Sequence, residues 1–283
     1  MQPRDKLKNS IQRILRTLSE SLFGTVKTWH LWWYIYAPTE AINFLAGLAS
    51  WYFFSIYAAG AKAEEFFSFL AIGLLVNPVF LFAVENPYRF TRALYAGWFS
   101  SYGYRLKMRD YYKLAGVTLT EYMASRFIES FLFLLVRFAA YLSVLTLVFG
   151  VIRMNVNLLD TAAVLTLGFA ATLPLGLLLA STYALYYNMP QVVMNPFIWA
   201  VELTASIVCG IYFPPTILPP PLKTLSWLLP QTYAIDAARQ VLLNHTPLTA
   251  LTRDIQALTL FTLLNIPALL VYKKALRYID RHV

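Results

Sequence analysis

Gly210-Ile-Tyr-Phe-Pro-Pro-Thr-Ile-Leu-Pro-Pro-Pro-Leu-Lys-Thr-Leu-Ser-Trp-Leu-Leu-Pro-Gln-Thr-Tyr-Ala-Ile-Asp-Ala-Ala-Arg239 follows an apolar run long enough to cross a membrane, then breaks at three proline points. Proline removes a backbone donor and fixes φ, so Pro214, the Pro219 to Pro221 run and Pro230 are each expected to end or bend a helix. The residues between them stay apolar and aromatic. The stretch is too broken to span a bilayer and too apolar for an ordinary aqueous loop. It reads as short helices dipping back into one membrane face.

The rest of the chain supports a membrane setting. Hydrophobic residues make up 59% of the 283 and charged residues 13%, about half the charged share of a soluble domain. Mean hydropathy is +0.56. Cys209 is the single cysteine, which excludes an internal disulfide, and His30, His245 and His282 are too scattered to suggest a metal set. The net charge of +9 is distributed between and beside the apolar runs, the pattern of topology signals rather than of a nucleic-acid groove. The first apolar run comes only after a long basic stretch, so no cleavable leader is expected.

Six apolar runs of about span length occur, near 39–60, 66–84, 127–152, 159–187, 192–213 and 255–272, the second with room to extend toward residue 104. An even number puts both termini on one side. With that side cytoplasmic, the inside segments hold 17 Lys and Arg and the outside segments 5. The positive-inside rule then places both termini in the cytoplasm and the broken segment, about 213–243, outside. The expected fold is an all-α membrane protein: a cytoplasmic interfacial region over 1–37 and a six-span body over 38–283. In the first, Leu7, Ile11, Ile14, Leu15, Leu18 and Leu22 recur at helical spacing, with basic residues elsewhere, and an aromatic cluster follows at 29–36. That helix is a plain anchor or a lever contacting a cytoplasmic partner.

The longest inside loop is basic and ends in Gly116-Val-Thr-Leu-Thr-Glu-Tyr-Met-Ala-Ser-Arg126. Thr118 and Glu121 have capping-box spacing, so Gly116 is expected to stop one helix and Thr118 to start the next. Arg137 and Glu202 each fall about 10 residues into a span from the cytoplasmic side, roughly 15 Å deep. Charges at that depth suggest a midplane ion pair, either a lock between two helices or a polar point on a transport path.

Taken together these residues resemble the permease subunits of ABC-2 type ATP-binding-cassette exporters. Tyr212-Phe-Pro214, Leu218-Pro219, Leu229-Pro230-x-Thr232-Tyr233 and Arg239 are similar to that family's external signature in order and spacing. Thr118 to Tyr122 looks like its cytoplasmic coupling region, here within about 105–126. Relatives carry a proline where this chain has Gly116-Val117, and an acidic-glycine approach where it has Arg105-Leu-Lys-Met-Arg-Asp-Tyr-Tyr112. The resemblance implies a plasma-membrane exporter working as a pair of permeases, homo- or heterodimeric, with ATPase subunits beneath. It implies that Thr118, Leu119, Thr120, Glu121 and Tyr122 receive the ATPase stroke. It also implies that Phe213, Pro214, Pro219, Pro230, Tyr233 and Arg239 belong to an external gate, with Asp236 and Arg239 a local pair. ATP and Mg would sit on the partner: the chain has no Gly-x-x-x-x-Gly-Lys-Ser/Thr phosphate loop, so no cofactor of its own and no enzymatic role are expected. An ion-gradient-driven transporter would call for an internal repeat and more midplane acids. An intramembrane enzyme would call for a cluster of acids and histidines, whereas Glu64-Glu65 stands alone in a short outer loop.

Overall fold

A computed structural model describes residues 37–95, 97–99, 105–107, 118–151, 157–186 and 206–282, with the single positions 11, 12, 15, 109, 110, 114 and 116. Nearly all of the amphipathic segment 1–24, the aromatic cluster 29–36 and most of the fifth expected span, Glu202 included, lie outside the described residues.

The described chain is helical apart from one small ladder. The helices are α1 (Ala37–Ala59), α2 (Ala63–Tyr95), α3 (Leu119–Leu147), α4 (Leu158–Leu185), α5 (Pro220–Trp227), α6 (Pro230–Asn244), α7 (Thr252–Leu263) and α8 (Asn265–His282). Strands β1 (Gly97–Phe99) and β2 (Arg105–Lys107) pair antiparallel, with Trp98 opposite Leu106. These strands fall where the sequence suggested only a basic loop or an extension of the second span; that helix ends at Tyr95.

Among the described residues, four stretches are long and apolar enough to cross a membrane: Ile42–Tyr95, Glu121–Leu147, Leu158–Leu185 and Thr252–Arg281. The first is folded on itself. The rings of Tyr52 and Phe67 lie 5.2 Å apart and those of Phe54 and Phe66 6.5 Å apart. On one continuous helix, positions fifteen residues apart would be separated by about 22 Å. The reversal occurs at a 3₁₀ turn, Gly60–Lys62, where Gly60 has φ +51°, a backbone state that costs glycine little.

The chain divides into two compact units, residues 1–47 with 89–137, and residues 48–88 with 138–283. In the first, Gly116 at φ +70° precedes α3, and the Arg109 guanidinium lies over the Tyr95 ring at 5.6 Å. In the second, α2, α4 and α6 supply most of the buried side chains, among them Phe80, Ile72, Leu75, Val164, Ile235 and Leu242. Helix α4 also packs on α7 and α8. Asn157 caps α4, its Oδ1 accepting from Leu159 N–H at 3.1 Å and Asp160 N–H at 3.4 Å. Gly168 lets α4 approach Phe80 and Ala234, and Gly176 sits against the Ala83 carbonyl, with no room for a Cβ at either position.

Candidate functional site

The broken segment is assembled from short elements that begin, rather than end, at prolines. Pro215 opens a 3₁₀ turn (Pro215–Ile217), Pro220 opens α5 and Pro230 opens α6. At the first helical position the missing N–H has no partner to lose and the fixed φ suits the helix. The expectation that these prolines terminate helices is corrected accordingly. Gly210, at φ +84°, lies in the turn that precedes them.

Side chains then tie the pieces together. Thr232 Oγ1 donates to the Ser226 carbonyl at 2.6 Å, leaving Ser226 Oγ to donate to Thr232 Oγ1 at 3.2 Å. Tyr233 OH donates to the Trp227 carbonyl at 3.0 Å, and the two rings lie 5.5 Å apart. Cys209 Sγ donates to Gln231 Oε1 at 3.3 Å, and Tyr212 packs on Trp51. Phe213 is 46% exposed; Pro219 is exposed, Pro214 half-buried and Pro230 buried.

Arg239 is the anchor. It is only 6% exposed, and its guanidinium bridges three places. Nε donates to the Phe69 carbonyl at 3.1 Å, Nη1 to Gly210 O at 2.6 Å and Nη2 to Ile211 O at 2.9 Å. Its plane also lies over the Phe69 ring, 3.4 Å from the centroid. Gly73 makes room for it: a Cβ there would lie 2.6 Å from Nη2 and 2.7 Å from Ile211 O. Burial pulls the guanidinium pKa down to about 9, opposed by the charge of Asp236, so Arg239 remains cationic at neutral pH.

Asp236 and Arg239 interact as a local pair through charge rather than through a hydrogen bond. Arg239 directs its donors to backbone oxygens, and Asp236 accepts instead from Gln240 Nε2 at 3.5 Å. The same amide donates to Asp254 Oδ2 at 3.2 Å, tying α6 to α7. Burial raises the Asp236 carboxyl above its ordinary value, opposed by Arg239, the Gln240 amide and Arg253. Arg253 rests over the Trp227 ring at 4.6 Å. Among the described residues no group of three or more His, Cys, Asp or Glu could hold a metal ion.

The Thr118 region forms a reciprocal capping box. Thr118 N–H donates to Glu121 Oε2 at 2.9 Å and Glu121 N–H donates to Thr118 Oγ1 at 3.3 Å. Glu121 and Tyr122 are both 4% exposed, whereas Thr118 is exposed. Leu119 and Thr120 follow as the first helical residues. One turn on, Arg126 donates to Glu129 at 2.9 Å and its guanidinium lies 5.8 Å from the Tyr122 ring centroid. Arg137 lies on an exposed face of α3; its expected partner Glu202 is outside the described residues.

Sequence reasoning did not find Phe69, Gly73, Ser226 or the Gln240–Asp254 contact. Gly73 carried a usable signal, since a lone glycine within an apolar helix marks a close backbone approach. No protein-family model and no curated protein matches this sequence.

Proposed function

We propose that the chain is the membrane-spanning permease of an ATP-driven exporter, acting as a pair of permeases with separate ATP-hydrolysing subunits bound on the cytoplasmic side. The hairpin α1–α2 counts as two crossings, α3 and α4 as one each, the 192–213 run as the fifth and α7–α8 as the sixth. Both termini are then in the plasma-membrane cytoplasmic layer, and α5–α6 form a re-entrant outer lid before the last span.

One observation carries this reading. Four residues of the stretch that resembles the exporter family's external signature hold the broken segment in shape: Pro230 opens α6, Thr232 and Tyr233 bond to the Ser226 and Trp227 carbonyls at the α5–α6 turn, and Arg239 holds the turn at Gly210–Ile211. At the other signature, the reciprocal capping box gives α3 a stiff first turn, suited to pass a push along the helix. The midplane pair Arg137–Glu202 belongs to the same proposal.

The reading is tested by isolating the full chain from its native membranes in mild detergent. An associated polypeptide carrying a phosphate loop, with ATP hydrolysis sensitive to vanadate, is expected. A chain that is isolated alone and moves solute on an ion gradient without ATP would contradict it.

A further inference from the structure

The last membrane-length stretch is broken near its middle, and the break is joined to α4. Leu264 N–H makes a tight bond to Phe261 O at 3.1 Å, and Ala268 N–H reaches Leu264 O at 3.1 Å. Between them stands Pro267, which has no N–H for the Leu263 carbonyl one turn back. Asn265 lies in this gap. Its Nδ2 donates to Thr262 O at 2.9 Å, within its own break, and to Ala170 O of α4 at 2.7 Å.

The Ala170 carbonyl is not an arbitrary acceptor. In an α-helix it would receive the N–H four residues on, and that residue is Pro174, inside α4. Pro174 therefore frees one carbonyl and Asn265 takes it up from the neighbouring helix, the compensation that lets prolines persist in apolar helices. Ala170 and Asn265 lie about halfway along their stretches, roughly 18–20 Å from the N-terminal end of each. The amide orientation follows from its partners: reversed, Oδ1 would face two carbonyl oxygens. As placed, Nδ2 meets both carbonyls and Oδ1 faces away from them.

We infer that Asn265 is the pin of a mid-span joint, a positioning residue that holds the α7–α8 break against α4 through the carbonyl freed by Pro174. Breaking one hydrogen bond, Nδ2 to Ala170 O, frees α8 to swing relative to α4, while the bond to Thr262 keeps the break itself intact. Nothing in this joint depends on the exporter reading; it applies to any protein in which the last span bends.

The test uses the full chain in detergent, with spin labels at Leu178 of α4 and Leu270 of α8, both exposed. Asn265→Leu is expected to lower the melting temperature by roughly 3–6 °C and to broaden the distance distribution between the labels. Asn265→Asp, which places an acceptor against the Ala170 carbonyl, is expected to lose at least as much. Pro174→Ala restores the Ala170 bond within α4, so the added loss from Asn265→Leu shrinks in that background while the label distances stay broad. Asn265→Ala adds no bulk and carries the same comparison should the leucine variant fail to fold. An equal loss with and without Pro174, an Asn265→Asp protein as stable as the parent, or an unchanged label distribution would each overturn the joint.

Discussion

Arg239 illustrates how a single charge is made tolerable in an apolar setting. A buried guanidinium needs acceptors, and here three backbone carbonyls and an aromatic face supply them. Arg239→Met leaves the Gly210 and Ile211 carbonyls without their donor and should cost on the order of 3 kcal/mol in thermal unfolding. Arg239→Lys recovers only part of this, because an ammonium cannot reach three separated oxygens in a fixed plane. Gly73→Ala drives a methyl group into the same space and should cost about 1–3 kcal/mol. Asp236 behaves differently. Its folded pKa lies above the ordinary 3.8 because burial penalises the anion, so the folded state holds the extra proton. Its contribution is complete below 3.8 and is lost as pH rises through the folded value. Asp236→Asn should flatten that decline in a stability profile measured upward from about pH 4. Neither the three carbonyls nor Gly73 could be paired with Arg239 from sequence: Phe69 lies 170 positions away and Gly210 lies 29, and only the fold brings them together.

At the scale of elements, local chemistry was readable where its partners are near in sequence. The Thr118–Glu121 box is a four-residue pattern, and it forms with both hydrogen bonds. Thr118→Ala and Glu121→Ala should each cost about 1 kcal/mol, and the double change less than the sum, since each side chain serves the other's backbone. The proline points were located correctly but read with the wrong polarity, because a proline alone does not say whether a helix ends before it or starts at it. The C-terminus of α6 offers a second check. His245 occupies a left-handed conformation at φ 53°, with Thr246 N–H returning to Gln240 O at 3.0 Å. Glycine adopts that state without steric cost, so His245→Gly should raise stability by about 0.5–1 kcal/mol. The 54-residue apolar stretch is a hairpin that reverses where the sequence separates the runs 39–60 and 66–84: the turn rests on one glycine, Gly60, beside Lys62.

For the whole molecule, composition was enough to expect long apolar helices, and four such stretches are present among the described residues. What composition could not reach is the way they are held together. The contacts at Gly168 and Gly176, the Arg239 anchor and the Asn265 joint all depend on which helices are neighbours, information that periodicity does not contain. The proposed topology makes a direct prediction. A cysteine placed at Lys62 should react with an impermeant thiol reagent from outside intact cells, and one at Lys273 only after the membrane is opened. The central claim, that this chain is driven by a separate ATPase through the first turn of α3, is tested most directly by one comparison. ATP hydrolysis is measured in the purified complex of the parent chain and of the Thr118→Ala/Glu121→Ala chain, with the amount of bound ATPase subunit quantified in each. The account predicts vanadate-sensitive hydrolysis in the parent and a loss of about tenfold or more in the variant. A parent chain with no associated hydrolysis, or a variant complex that hydrolyses ATP at the parental rate, would contradict it.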